Sequence, residues 1–171
     1  LDLKTITTKV HYLKMECKPA ISDHFINNVE INLIEKPVSV YKYLQLYNDV
    51  GRKWNWADRV IMDEEELKNI INSENNSLYT FHINGIEAGY VEFINYKKYV
   101  EIQYFGLFDE FTGKGYGKKL FKWCIDKAWS KEPEWIQLNT CDLDHGAALE
   151  LYKKLGFTEY KTEIAERHIF S

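Results

Sequence analysis

The chain of 171 residues carries 26 acidic and 22 basic side chains, a formal charge of −4, and is 45% apolar with 15% aromatic residues. That apolar share can build a sizeable core and excludes a mainly disordered chain. The mild acidity is no basic footprint for nucleic acid, and no apolar run approaches the ~20 residues of a membrane span.

Leu1 to Val10 is polar and mixed and does not read as a signal peptide. Cys17, Cys124 and Cys141 are scattered, with no CxxC and no ligand-like histidine spacing, so neither a disulfide framework nor a metal site is expected. These features point to a soluble, reduced, cytoplasmic protein. Only three prolines and nine glycines interrupt the chain, and there is no linker or repeat, so residues 1–171 read as one domain.

Val10 to Cys17 alternates apolar and polar residues, as does Val29 to Ile34. Both read as strands, expected to pair as an N-terminal hairpin over residues 1–36 with Ile21-Ser22-Asp23 in its long loop. Val40, Tyr43, Leu44 and Tyr47 recur at helical spacing, and Gly51 stands where a helix cap belongs. Asp63 can cap a second helix, with Leu67, Ile70 and Ile71 as its apolar face. Asn84-Gly85 between two alternating runs predicts a tight type I′ hairpin over Leu78–Phe93. Tyr99 to Leu107 is a further strand. A helix follows, with Leu120, Phe121, Cys124, Ile125, Ala128 and Trp129 on one face. Trp135 to Cys141 is a strand, and Ala148 to Leu155 is a helix closed by Gly156. Phe157 to Phe170 is mostly extended. Strand–helix–strand from Tyr99 to Cys141 demands a parallel crossover pair. The expected fold is therefore α/β (α+β), a mixed central sheet with helices on its faces.

Chemistry concentrates in two runs. In the first, Glu101 to Lys118, a strand leads into Gly113, Gly115 and Gly117 at the start of a helix. Free N–H groups of a first helical turn suit a phosphate, and Lys114 and Lys118 add positive charge. The run is neither a Walker loop nor a dinucleotide fingerprint. In the second, strand Trp135–Cys141 leads into His145-Gly-Ala-Ala-Leu-Glu-Leu-Tyr-Lys-Lys-Leu-Gly-Phe157.

Together the two runs resemble the GNAT superfamily of N-acetyltransferases. Its cofactor motif, (Arg/Gln)-x-x-Gly-x-(Gly/Ala), falls on Thr112 to Gly117, and its later motif, Asn-x-x-Ala-x-x-Leu-Tyr-x-x-x-Gly-Phe, on His145 to Phe157. The resemblance covers residues 78–157 as the cofactor-binding core. Gly51 to Arg59 and the Tyr104-Phe-Gly-Leu run are similar to a bacterial subgroup of mostly uncharacterised members. Thr112 replaces the family's leading Arg/Gln, and His145 replaces its Asn.

The resemblance implies acetyl-CoA held between two splayed parallel strands, with transfer of its acetyl group directly to a primary amine of a small molecule or peptide. It places the pantetheine arm on Phe105 and Leu107 and the pyrophosphate on Thr112, Gly113, Lys114, Gly115, Tyr116, Gly117 and Lys118, with His145 near the cofactor. It puts a general base at Glu101, with Glu92 as rival, and a general acid at Tyr152. A strand amide near Leu107 would meet the oxyanion. Among the aromatic residues of the first helices, Trp54 and Trp56, with Tyr90 and Glu92 on the sheet, are candidate acceptor contacts. Arg59, if it faces the cleft, would favour an acceptor with a carboxylate. A monomer or homodimer is expected. The alternatives are an acyl-CoA-binding sensor of the same fold and a plain interaction module whose glycine loop is structural.

Overall fold

The structure, a computed structural model, describes residues 1–20 and 27–171. One seven-stranded sheet runs in the order β2-β3-β4-β5-β6-β1-β7. Its strands are β1 (Leu3–Met15), β2 (Val29–Leu33), β3 (Asn76–Ile83), β4 (Ile86–Asn95), β5 (Tyr99–Leu107), β6 (Trp135–Cys141) and β7 (Thr158–Phe170). Four helices cover it: α1 (Val40–Gly51), α2 (Glu64–Asn72), α3 (Tyr116–Trp129) and α4 (Ala148–Lys154). No helix among the described residues is long and apolar enough to cross a membrane.

The local signals act as expected at most boundaries. Asn84 and Gly85 both take positive φ, 51° and 78°, and turn β3 into β4. Asp63 accepts hydrogen bonds from the Glu65 and Glu66 amides and starts α2. Gly156, at φ 108°, ends α4. Gly51 differs: it is the last residue of α1 with φ −100°, so it is no left-handed cap. Its role is space, since a Cβ there would lie 2.2 Å from the Trp56 indole.

The expected N-terminal hairpin does not form. β2 pairs with β3, whereas β1 lies at the other end of the sheet between β6 and β7. β1 also begins at Leu3 rather than Val10, because its first half pairs along β7 in a two-stranded ribbon. Alternation identifies a strand but not its partner, and β6 offers a free edge that an early strand can fill. The Ile21-Ser22-Asp23 turn lies outside the described residues.

The parallel crossover joins β5 to β6 across α3, but these strands pair only at Tyr99–Trp135, Val100–Ile136 and Glu101–Gln137. Beyond that rung β5 stays with β4, β6 stays with β1, and the two separate. On the face covered by α3 and α4, Val91, Phe93, Val100, Ile102, Phe121 and Cys124 form one core. On the α1–α2 face, Tyr43, Leu46, Tyr47, Leu67, Ile71 and Tyr90 form the other.

The second core contains charge. Glu92 has no exposed surface and accepts hydrogen bonds from Tyr43 Oη (2.6 Å), Asn76 Nδ2 (2.7 Å) and Arg59 (3.3 Å). Arg59 is itself only 7% exposed. A buried carboxylate is tolerable only with such partners. Arg59→Met strands that charge and should cost about 3–5 kcal/mol in urea unfolding. Adding Glu92→Met should recover a large part of the loss, which a stability series of the single and double variants checks.

Candidate functional site

Where β5 and β6 part, a cavity of about 730 Å³ opens between them and continues on both sides of the sheet. Ile102 to Leu107 forms one wall, and Leu138, Asn139 and Cys141 form the other. Glu101 and Gln137 make the last paired rung, so they mark the apex of the opening.

A bulge shapes the β5 wall. β4 and β5 change register between Glu92 and Phe93, which face Tyr104 and Ile102, so Gln103 has no partner. A bulge of this kind turns the following side chain to the opposite face. Ile102 therefore packs in the α3-side core while Tyr104 packs against the α1-side core.

The glycine loop lies at the open end. Gly113 and Gly115 have φ of +73° and +86°, a region that side chains disfavour, and nothing lies within 4 Å of where either Cβ would stand. Gly115 is the N-cap of α3 and supplies no side-chain cap. The first-turn amides of a 14-residue helix thus lack an internal side-chain acceptor. Thr112 Oγ1 donates within the loop, to the Asp109 carbonyl at 2.8 Å. Such an open, uncapped cradle beside Lys114 and Lys118 fits a pyrophosphate.

Of the residues singled out from sequence, Phe105, Leu107, Thr112, Gly113, Gly117, His145, Tyr152, Trp54 and Trp56 all line this cavity. Lys114, Gly115, Tyr116 and Lys118 lie beside it in the loop and first turn without lining it. Glu101 is half-buried at the apex, one residue outside the lining. Burial raises its pKa, an effect opposed by a Gln137 hydrogen bond and assisted by the Glu92 charge. Tyr90 and Glu92 are fully buried behind the wall. Arg59 turns to Glu92 and away from the cleft, so it presents no cation there to an acceptor carboxylate.

Tyr152 reaches the cavity from α4, with its ring 5.0 Å from Phe121 and 6.3 Å from Phe157. Burial, and then the charge of Asp144, push its phenol pKa well up, so it holds its proton at neutral pH. Asp144 does not cap the next helix as its position suggests. Its carboxylate accepts from Thr140 Oγ1 (2.6 Å), the Cys141 amide (3.0 Å) and Trp56 Nε1 (3.4 Å). His145 takes over near the helix start, where its Nδ1 accepts from the Ala147 amide at 3.0 Å. The same loop is anchored behind by His11 of β1, whose ring nitrogens meet Asp142 and Glu159, each at 2.8 Å. The Glu159 and Asp142 hydrogen bonds raise the pKa of His11 and favour the imidazolium.

On the α1 side the wall is aromatic. Tyr104 lies 4.9 Å from Trp56 and 5.0 Å from Tyr47, and Trp54 stands edge-on to His145 at 5.5 Å. Sequence reading did not single out Tyr104, Asn139 or Asp144 as site residues. For Tyr104 the missing signal is the bulge, which plain alternation conceals.

A family model described as the acetyltransferase (GNAT) family matches residues 43–157. No curated protein matches the chain. Among solved structures, a GCN5-related N-acetyltransferase from Sphaerobacter thermophilus has a TM-score of 0.66 at 12% identity, covering 94% of this chain and 51% of its own. A functionally unknown conserved protein from Staphylococcus epidermidis has a TM-score of 0.62 at 19% identity, covering 96% and 62%. This chain therefore spans between half and two thirds of the length of those two proteins. An aminoglycoside acetyltransferase from an uncultured soil metagenomic sample has a TM-score of 0.57 at 19% identity, covering 75% and 87%. These identities support a shared fold. With the family match spanning most of its length and both motifs on one cavity, the chain belongs to the GNAT acetyltransferase family.

Proposed function

We propose that the protein transfers an acetyl group from acetyl-CoA to a primary amine of a small molecule or peptide. The observation that carries this reading is the continuous cavity from the uncapped α3 N-terminus, through the gap between β5 and β6, to the aromatic wall. Amides of the loop and first turn at Gly113 to Lys118 would hold the pyrophosphate, and the exposed strand edge at Phe105 and Leu107 would hold the pantetheine arm. Acetyl-CoA, when bound, supplies an activated thioester.

In the transfer a C–N bond forms to the acetyl carbon as the C–S bond breaks. The amine loses one proton and the sulfur gains one. Tyr152, a neutral phenol beside the gap, is suited to give that proton to sulfur. Glu101 at the apex is suited to take the amine's proton through one water, since it flanks the cavity without lining it. The Leu107 amide offers a hydrogen bond to the oxyanion.

Calorimetry tests the cradle directly. Wild type should bind acetyl-CoA in the micromolar range. Gly115→Glu, which puts a negative side chain on a left-handed residue at the helix start, should abolish binding; equal affinity in the two proteins sinks the cradle. Tyr152→Phe should keep acetyl-CoA affinity and lose turnover by about 10²-fold, as expected of a lost general acid. A sensor that only binds would show no turnover in wild type either.

A base works as its carboxylate, and burial raises the Glu101 pKa. The wild-type kcat/KM should therefore rise with pH through a value above the usual carboxylate range and then level. In Glu101→Gln that rise should vanish, with a loss of about 10²-fold on the plateau. A pH–rate profile of both proteins decides it.

A further inference from the structure

The cavity carries a phenol on each side of the sheet. Tyr152 belongs to the α3–α4 side and Tyr104 to the α1 side, and the gap between β5 and β6 connects them. Both rings line that one cavity, each from its own face of the sheet.

Tyr104 is built in from behind. The Arg59 amide donates to Tyr47 Oη at 3.4 Å, and the Tyr47 ring stands edge-on to Tyr104 at 5.0 Å. Tyr104 lines the cavity, so its O–H can be given to a ligand there. The Arg59 guanidinium, anchored by buried Glu92, lies 5.6 Å from the Tyr104 ring.

The same arrangement disfavours a cation at this wall. Two of its rings already carry the protein's own cations, Arg59 over Tyr104 and Lys53 over Trp54 at 5.0 Å. A donor with positive charge behind it is matched to negative charge developing on oxygen.

We propose that Tyr104 is a second catalytic phenol, donating its O–H to the acyl carbonyl oxygen as that oxygen becomes negative during transfer. The proposal rests on the transferase reading above. As the C–N bond forms, the carbonyl π electrons move onto oxygen. They return as the C–S bond breaks, and Tyr104 retains its proton throughout.

The test uses the full chain and carbonyl-¹³C acetyl-CoA, read by difference infrared spectroscopy. This readout needs binding but no known acceptor. In wild type the thioester carbonyl stretch should move to lower frequency on binding, and in Tyr104→Phe part of that shift should be lost. Tyr152→Phe should lose none of it. Thiol release by Tyr104→Phe should fall by about 10²-fold at unchanged amine KM, the size of one lost oxyanion donor. A Tyr104→Phe spectrum identical to wild type overturns the proposal, as does a raised amine KM at unchanged kcat. Failure of wild type to bind acetyl-CoA overturns the transferase reading itself, and calorimetry separates that outcome from the others.

Discussion

The parallel pairing between β5 and β6 stops after three rungs, and the candidate site follows from that stop. Each strand is drawn away by a different neighbour. β5 remains bonded to β4 up to Gly89–Leu107 and hugs α1 so closely that a Cβ on Gly106 would meet Val50 at 2.2 Å. β6 is held by β1 from Ile136 to Cys141. A fully paired rung would close the cavity, and a fully separated pair would leave no apex to hold Glu101. In most sheets an unpaired strand edge is a liability. Here the edge is internal and walled by the α1-side aromatics and α4, which shields it from another chain and leaves it open to a ligand.

The buried charge beneath the aromatic wall follows another logic. Glu92 and Arg59 lie in a core otherwise made of tyrosine, leucine and isoleucine. Such a pair is seldom the most stable filling. It orients polar groups that an apolar core leaves free to rotate. Tyr43, Asn76, Tyr47 and Tyr104 are all tied to it directly or through one intermediary. The cost falls on stability, and what it secures is a fixed direction for the Tyr43 hydroxyl and the Asn76 amide beneath the wall. Tyr90 Oη and Arg59 Nε remain without protein partners in this cluster, which suits a few internal waters.

Elements set by local chemistry were legible in the sequence. The Asn84-Gly85 turn, the Asp63 cap and the apolar stripe of α3 need only neighbours a few residues away. The two motifs also converge on one cavity, because each is local to a strand–helix junction. The rest depends on partners far along the chain. Alternation marks β1 as a strand, but its partners Cys141 and Glu163 are chosen by sheet order. A single bulged residue, Gln103, reverses the facing of Tyr104, and nothing in the pattern Ile-Gln-Tyr-Phe announces it. Glu92 reads as a rival base and acceptor contact and Arg59 as a cation for the cleft, until the fold buries the two together. Asp144 has the spacing of a helix cap, yet it is taken by Thr140 and the Cys141 amide, since α4 starts only at Ala148.

The placement of β1 bears on how the protein is made. This strand leaves the ribosome before β6 and β7, the two strands that flank it in the sheet. Until they emerge it has no ladder partner, and its alternating apolar face at Val10, Leu13 and Met15 has no core to enter. Closing contacts across so long a stretch of chain is slow, because loop entropy must be overcome before any pairing rewards it. β2 to β5 can assemble first as an antiparallel meander with α1 and α2. The slot between β5 and β6 then takes shape late, when β1 is finally enclosed between β6 and β7. Formation of the slot is thereby tied to the emergence of β6 and β7, and a chain truncated before β7 keeps an unpaired edge on β1 that chaperones can recognise.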